Sequence, residues 1–287
     1  MAQRCPNPQC PSPSPQKNGT YFRSSDSKAI QRWICKACKR HFSDATFQAP
    51  YLQNKRRVNP IVAKLLSSGV SQRRIALLLQ ITRVTVARKL AFLAKGAWQR
   101  HVEGLETGPK AQEVQFDDLI TIEHTKCKPL AVSLAVESRT RRILGFEVSS
   151  IPASGPLAAQ SRMKYGPRRN MRPGALQALF NQIKTAVGPG VSFRSDEDPL
   201  YPPLVRRNFP GSAHHRHRGG RGCVSGQGEL KKLAFDPLFS LNHTCAMLRA
   251  NINRLFRRTW CTTKKAERLR QHIAVYMEFH NTVLIKA

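Results

Sequence analysis

Three adjacent carboxylates interrupt a long basic stretch of this chain. Asp196, Glu197 and Asp198 follow the short apolar segment Val191–Ser195, and no other acid occurs between residues 151 and 228. Carboxylates delivered by a strand into basic surroundings are typical of sites in which metal ions act on a phosphodiester. An acidic turn after an edge strand is the alternative interpretation.

A second chemical cluster is the group of four cysteines within the first 38 residues. Cys5 and Cys10 form one pair, and Cys35 and Cys38 form another with the two-residue spacing that is usual for metal ligands. Two such pairs on turns of a β-ribbon, including the strand-like segment 30–35, can supply four thiolates to a structural Zn²⁺. We therefore interpret residues 1–50 as a zinc ribbon whose metal provides most of its folding energy.

The charge balance of the chain indicates a polyanionic partner. Forty-eight Lys and Arg residues oppose 17 Asp and Glu, which gives a formal net charge of +31 over 287 residues. No apolar run is long enough to span a membrane, and the N-terminal residues lack the apolar region of a signal peptide. We expect double-stranded DNA as the partner, no membrane association, and a cytoplasmic, nucleoid-associated location in a bacterium.

Residues 55–98 have the pattern of a helix-turn-helix domain. A first helix carries apolar residues at helical spacing, Ser71 can cap a second helix, and a third is expected over 84–95. The second helix is expected to turn Ile75, Ala76, Leu78 and Leu79 inward. The third helix would present Arg83, Thr85, Arg88 and Lys89 to the DNA major groove. A three-helix bundle with a merely solvated basic face is the alternative.

The elements that must position the acids begin after a polar stretch, 99–112, which we interpret as a linker. Alternating or apolar segments predict strands at 114–123, 129–136 and 143–148. A helix over 174–187, a strand over 191–195, a helix over 202–208 and a strand near 212–217 follow. This order is that of the ribonuclease H-like fold, in which acids of the first and fourth strands meet. It would bring together Asp117 and Asp196, which are 79 residues apart in the sequence.

With these motifs in place, the chain resembles DDE transposases of the insertion-sequence-one type over nearly its whole length. The most specific match is C-terminal, where Leu248-Arg249 is followed by the run RLFRRT at 254–259 and by Lys264. Ser195-Asp196, with Tyr201 behind it, matches the second acid of that family. The resemblance implies a multi-domain α/β protein in which residues 113–287 form the catalytic domain.

The sequence departs from that family at the third acid. Counting back from Leu248-Arg249 places Asn242 where the family has Glu, and an amide oxygen brings no charge to a metal ion. Asp236 and Glu229, just upstream, are the alternatives for this position. Helical spacing places Asn242 on a polar face beside a buried stripe that includes Leu241 and Cys245.

The resemblance implies Mg²⁺- or Mn²⁺-dependent DNA cleavage and strand transfer. Asp117 and Asp196 would hold the metal, and they are preferred to their neighbours Asp118 and Asp198, since alternation turns Asp118 to the opposite face of the strand. Basic loops at 139–142, 162–172 and 214–221 would line the DNA path together with four arginines of the closing segment, Arg249, Arg254, Arg257 and Arg258. Joining two DNA ends implies a homo-oligomer, at least a dimer.

Three alternatives remain open at this point. A zinc-containing, non-catalytic DNA-binding regulator or a domesticated transposase remnant would share the ribbon, the helix-turn-helix and the charge. An RNA-processing nuclease is a weaker alternative, because a helix-turn-helix suits the B-form major groove. The histidines at 214–217 could form a second metal site, although no matching Cys or acid lies nearby in the sequence.

Overall fold

The structure is a computed structural model that describes residues 4–218, 236–256 and 260–285. The chain divides into two compact units, Met1–Val62 and Ala63–Ala287. The described residues form a mixed α/β protein with eight α-helices and two β-sheets. Among them, no helix combines the length and the apolar character needed to cross a bilayer.

The N-terminal unit is built on a small antiparallel sheet. Strands β1 (Pro15–Arg23), β2 (Lys28–Cys35) and β3 (His41–Ser43) pair in sequence order, so the strand predicted at 30–35 is confirmed. Its core is small: Cys5, Cys35 and Phe42 are buried, and Cys10, Trp33 and Cys38 pack against them. So few apolar side chains cannot supply much folding energy, which makes a bound metal a natural source of stability.

Three helices follow this sheet. They are α1 (Asn59–Leu66), α2 (Gln72–Leu78) and α3 (Arg83–Thr107). The predicted cap of the second helix is confirmed, since the Ser71 hydroxyl accepts a hydrogen bond from the Arg74 N–H at 3.3 Å. Thr82 caps α3 in the same way, accepting from the Thr85 N–H at 3.1 Å.

Two details of the helical prediction are corrected. Helix α3 continues to Thr107, so residues 99–107 are not a linker. Ala94, Ala97 and Leu105 are buried along it, and the apolar face therefore persists through a stretch whose glycines and polar residues suggested a break. In α2, Ile75 is buried as predicted, but Leu78 is 63% exposed rather than inward-facing.

The second sheet has five strands in the order β6-β5-β4-β7-β8. They are β4 (Ala111–Glu123), β5 (Thr125–Glu137), β6 (Ile143–Ser150), β7 (Val187–Ser195) and β8 (Ala213–Arg216). The first three pair antiparallel, whereas β7 lies parallel between β4 and β8. All five lie where strands were predicted, and β4 and β7 are central neighbours.

Five further helices accompany this sheet: α4 (Leu157–Tyr165), α5 (Arg172–Ile183), α6 (Tyr201–Asn208), α7 (Phe239–Asn251) and α8 (Ala266–Phe279). Helix α4 lies within a segment that the sequence analysis treated as a loop. Phe116 of β4 lies at the centre of the core beneath α5 and α6, with ring centroids 5.2 Å from Phe180 and 4.8 Å from Tyr201. This edge-to-face packing holds the face of β4 that bears Phe116 against α5 and α6.

The opposite face of β4 holds α7. The Gln115 side chain donates to the Pro237 carbonyl at 3.1 Å and accepts from the Leu241 N–H at 3.0 Å. Gln115 is buried, and its amide therefore determines where α7 begins. Asp117, two residues further along the strand, lies on the same face as Gln115.

Candidate functional site

The four N-terminal cysteines meet at one point. Their sulfur atoms all lie within 4.8 Å of one another, with Sγ separations of 3.6 Å for Cys5–Cys38 and 3.7 Å for Cys10–Cys35. Four thiolates at about 2.3 Å from a tetrahedral Zn²⁺ have edges of roughly 3.8 Å. The cluster therefore fits a Zn²⁺ ion with all four positions filled by protein, which is the arrangement of a structural site.

Backbone donors prepare part of this cluster for metal binding. The N–H groups of Cys38 and Ser14 lower the pKa of Cys35 to about 6, and the Arg40 N–H lowers the pKa of Cys38. Burial and the neighbouring thiols raise the pKa of Cys10 to about 12. Thiolates are the form that binds metal, so two of the four ligands are already stabilised in that form by the turn before β3.

Asp117 and Asp196 lie on the two central parallel strands. The register pairs Gln115 with Arg194, and two residues further on it brings Asp117 level with Asp196, immediately after β7 ends. Burial raises the pKa of Asp117 to about 6, and the charge of Asp196 adds to this rise. The sheet thus brings together the two acids that the sequence analysis selected.

Tyr201 joins the neighbouring acids through its hydroxyl group. This hydroxyl lies 3.0 Å from Asp117 Oδ1 and 3.2 Å from Asp118 Oδ2, within reach for donation to either. Burial, Asp118 and Asp117 together raise the pKa of Tyr201 above its ordinary value, so the phenol keeps its proton. Asp117 Oδ1 also accepts from the Asp118 N–H at 2.7 Å, which leaves its second oxygen for another partner.

Arg172, at the start of α5, neutralises the other two acids. Its Nε donates to Asp118 and its Nη1 donates to Asp198 at 2.7 Å, while Nη2 donates to the Tyr201 hydroxyl at 2.9 Å. Asp118 is further bound by the Ser133 hydroxyl. Among the described residues, Asp117 and Asp196 have no ion-pair partner. They are therefore the carboxylates whose charge is available to a cation.

Asn242, the residue predicted at the third position, makes a side-chain hydrogen bond near the start of its own helix. This residue is exposed, and its Nδ2 donates to Asp236 Oδ2 at 2.9 Å, because the first turn of α7 reaches back toward the preceding loop. Asp236 in turn accepts from the Leu238 N–H at 2.9 Å. Glu229 lies outside the described residues. The α7 residue within electrostatic reach of Asp117 is Cys245, whose pKa is raised to about 12 by burial first and by Asp117 second.

A three-ligand carboxylate cluster is accordingly absent from the described part of the chain. There, the four cysteines form the only group of three or more His, Cys, Asp or Glu residues whose ligand atoms lie mutually within 4.8 Å. The histidine segment makes no such group either. His214 instead packs on Phe116 and lies 2.9 Å from the Ser195 hydroxyl, a contact that fixes β8 against β7.

The predicted DNA-contacting residues differ in exposure, and two of them lie outside the described part of the chain. Arg83 and Arg88 are exposed on α3, whereas Lys89 is only 4% exposed, because it lies between Val86 and Leu90 on the packed side. The prediction that Lys89 lies on the outer face is wrong. Thr85 is half-buried beside its cap, and Arg249 and Arg254 are half-buried near α7. Arg257 and Arg258 lie outside the described residues.

Sequence reasoning missed the role of Arg172 and of Cys245. The sequence analysis grouped Arg172 with a basic loop. Its ion pairs with Asp118 and Asp198 join residues that are far apart in the sequence, so only the folded structure reveals them. Cys245 was counted in the buried stripe of α7, and helical spacing gave no signal that this stripe passes Asp117. Tyr201 was noted beside the acids, but its hydrogen bonds were not anticipated.

The chain was compared with known proteins. No protein-family model matches it, and no curated protein matches it.

Proposed function

We propose that this chain is a DNA-processing enzyme of the DDE transposase type that binds the ends of a mobile element. The observation that carries the proposal is the pairing of Asp117 and Asp196 on the central parallel strands of a sheet ordered β6-β5-β4-β7-β8. That order agrees with the ribonuclease H-like arrangement expected from the sequence. The net charge of +31 supports a nucleic-acid substrate.

The acidic pair suits a divalent cation. Among the described residues neither carboxylate has an arginine or lysine partner, and burial makes the charge of Asp117 costly unless a cation relieves it. Mg²⁺ or Mn²⁺ bound there would supply Lewis acidity at a phosphodiester oxygen. The protein's own side chains would arrange the ligands. Tyr201 orients Asp117 through a hydrogen bond, and Arg172 holds Asp118 and Asp198 in ion pairs, so these two acids would not bind the cation.

Exposed cations on α3 support binding to double-stranded DNA. Arg83 and Arg88 lie near the start of a 25-residue helix that follows a capped turn, as in a recognition helix. Each phosphate contact made by such a cation weakens binding as salt rises, with a slope near 0.9 per contact. In this proposal the zinc ribbon adds a separately folded module, and DNA-end joining proceeds in at least a dimer.

The test is cleavage of DNA that carries the sequences flanking this chain's own gene, in Mg²⁺ or Mn²⁺. We expect nicking by the wild-type chain and a loss of at least about 100-fold in rate for Asp117→Asn and for Asp196→Asn, since each removes a metal-binding charge. Glu106→Gln is the matched control, because Glu106 is an exposed acid on α3 and lies on neither of the strands that position Asp117 and Asp196. Equal cleavage by the Asp196→Asn variant and the wild type would overturn the proposal.

A second candidate function is a non-catalytic, zinc-containing DNA-binding regulator, such as a domesticated transposase. The observation that favours it is at the third position, where Asn242 brings no charge and donates its amide to Asp236. Sequence-specific binding of the flanking DNA without cleavage in either metal would support this candidate over the enzyme.

A further inference from the structure

An open basic cavity lies within the larger compact unit, and none of the acids near Asp117 and Asp196 lines it. It has a volume of about 640 Å³ and lies between the first residues of α2 and α3 and the segment that leads from α7 to α8. Its lining comprises Ser71, Gln72, Arg73, Arg83, Asn253, Arg254, Trp260, Cys261, Thr262 and Lys264. Cavities of roughly 300–1,000 Å³ are the size that holds small organic ligands.

The charge of this cavity is uniformly positive. Arg73, Arg83, Arg254 and Lys264 line it, no carboxylate does, and none of the four has an ion-pair partner within the described ranges. Arg254 is largely buried, and this burial lowers its pKa. Four cations without a counter-charge in a concave site favour an anionic ligand with more than one charge.

An aromatic ring stands at the same site. Trp260 is fully exposed, which is unusual for the largest apolar side chain and gives a flat surface to which a ligand can bind. The backbone beside it is anchored, since the Thr263 carbonyl accepts from the His124 N–H at 2.7 Å and Lys264 Nζ lies 2.8 Å from His124 Nδ1. The ring therefore projects from a segment that is tied to the turn between β4 and β5.

A hydrogen-bond donor in the lining has no partner. Gln72 Nε2 is buried and makes no hydrogen bond to any described residue. A buried amide donor without an acceptor costs about 1–3 kcal/mol, which a ligand acceptor would recover. A nucleotide would use all three features of this cavity. Its phosphates would bind the positive charges, its flat base would stack on the indole, and an acceptor on the base edge would take the hydrogen bond of Gln72.

We propose that this cavity binds an unpaired nucleotide of a DNA strand, with its base stacked on Trp260 and its phosphates held by Arg73, Arg83, Arg254 and Lys264. The inference depends on the proposed function only in taking DNA as the polyanion. Bases in duplex DNA are stacked on each other and present no free face to an indole, so the site selects single-stranded or flipped nucleotides. It would hold a displaced strand while α3 contacts the duplex.

The experiment is a fluorescence titration of the full chain with an eight-nucleotide oligo-dT, a hairpin duplex of equal charge and free dTMP. Oligo-dT quenches the emission of Trp260, whereas the hairpin does not. The affinity of each variant is measured by the fluorescence anisotropy of a labelled oligo-dT, which does not depend on Trp260 emission. Trp260→Ala weakens oligo-dT binding about 5- to 150-fold, the range expected for loss of one base–aromatic stack. Trp260→Phe retains part of the affinity, because a smaller ring still stacks. Trp33 and Trp98 remain in every variant as an internal reference.

Charge variants test the phosphate contacts separately. Arg73→Gln and Lys264→Gln each reduce the salt slope of oligo-dT binding by about 0.7, the contribution of one phosphate on a single strand. Lys184→Gln is the matched control, since this lysine is exposed outside the cavity and should leave the slope unchanged. The four substituted side chains, Arg73, Lys184, Trp260 and Lys264, are all exposed, so far-UV circular dichroism should show an unchanged fold in every variant.

Three results would overturn the inference: unchanged affinity in Trp260→Ala, equal quenching by the hairpin, or dTMP binding as tightly as the oligonucleotide. The last would mean a site for a free nucleotide rather than a strand. Failure of the flanking-DNA cleavage test leaves these outcomes unaffected, because oligo-dT carries no element-end sequence. Conversely, loss of oligo-dT binding with cleavage intact would overturn this inference alone.

Discussion

At the scale of single residues, the acidic site depends on which of its four aspartates are paired with Arg172 and which are not. Arg172 pairs with Asp118 and Asp198, and Tyr201 bridges toward Asp117. This division explains why two of the acids near the strand ends are neutralised while Asp117 and Asp196 remain available. Arg172 is therefore predicted to matter for stability as well as for the site.

Replacing Arg172 by Met should lower the free energy of unfolding by about 3–5 kcal/mol, because Asp118 would remain buried without its cation. The Asp118 side chain is only 5% exposed. Urea unfolding at pH 7 measures the change. Adding Asp118→Asn to the Arg172→Met variant should recover part of the loss.

Arg100→Met is the matched control for this prediction. Arg100 also forms an ion pair, with Glu278, but its side chain is 58% exposed, and such pairs contribute about 0–1 kcal/mol. Equal destabilisation by the two arginine variants would contradict a buried, structurally required pairing at Asp118.

At the scale of elements, the strands were predictable and one helix end was not. Alternation located β4, and apolar runs located β5 and β6, which are buried on both faces, and the second half of β7. Helix α3 extends beyond its predicted end, because the polar stretch 99–112, with Gly104, Gly108 and Pro109, is typical of a linker. Ala97 and Leu105 are nonetheless buried along the helix, and tertiary packing outweighs the weak local preference of Gly104.

Gly104→Ala should therefore raise the free energy of unfolding by about 1 kcal/mol, the difference between Gly and Ala inside a helix. An added Cβ at Gly104 meets no atom within 4 Å, so no clash opposes the gain. Thermal or urea unfolding provides the measurement. An unchanged or lower stability would contradict a continuous α3 and support the linker interpretation.

Gly190→Ala is the paired control. A Cβ there also meets nothing within 4 Å, but Gly190 has a φ of +69°, a conformation that alanine adopts only with strain. It should destabilise the protein, in contrast to Gly104→Ala. If Gly104→Ala raises the free energy of unfolding and Gly190→Ala lowers it, the difference comes from the backbone conformation, since neither added Cβ meets another atom.

At the scale of the whole molecule, the larger unit joins the helical segment to the sheet through buried polar contacts. His272 of α8 is fully buried, and its Nε2 donates to the Leu66 carbonyl at the end of α1 at 2.9 Å. The Gly69 N–H donates to the Asn251 carbonyl at 2.7 Å. Sequence patterns predicted the three helices and the elements around the sheet. They did not predict that these pack into one unit, because the contacts join residues far apart along the chain.

The same distance along the chain limits what the sequence could say about the site. Asp117 and Asp196 could be selected because strand order alone makes β4 and β7 neighbours. The partners of Arg172, the approach of Cys245 and the burial of Lys89 depend on side-chain packing between elements, which no periodic pattern encodes. Spacing likewise identified the four cysteines that cluster, since both pairs lie on local turns.

Burial of His272 makes stability dependent on pH. Desolvation lowers the pKa of His272 from 6.5 to about 4, so the folded chain keeps it neutral while the unfolded chain takes up a proton below pH 6.5. The stability it contributes is present above pH 6.5 and is lost as pH falls toward 4, by up to about 3 kcal/mol.

Urea unfolding between pH 7 and pH 4 tests this loss. His272→Gln, which keeps a donor for the Leu66 carbonyl but does not titrate, should flatten the decline. His215→Gln is the control, because that ring is exposed in the folded chain and should leave the slope as it is. Identical slopes for wild type and His272→Gln would contradict the prediction.

The proposed function depends on Asp117 and Asp196 binding one divalent cation together. Electron paramagnetic resonance of Mn²⁺ added to the zinc-loaded chain measures this directly, because bound Mn²⁺ loses the signal of the free ion. The wild type and Glu106→Gln should bind Mn²⁺, and Mg²⁺ should compete. Asp117→Asn and Asp196→Asn should each weaken binding by more than about tenfold, since loss of even an outer-shell partner costs 10–100-fold. Mn²⁺ binding by both aspartate variants with wild-type affinity would contradict the shared site.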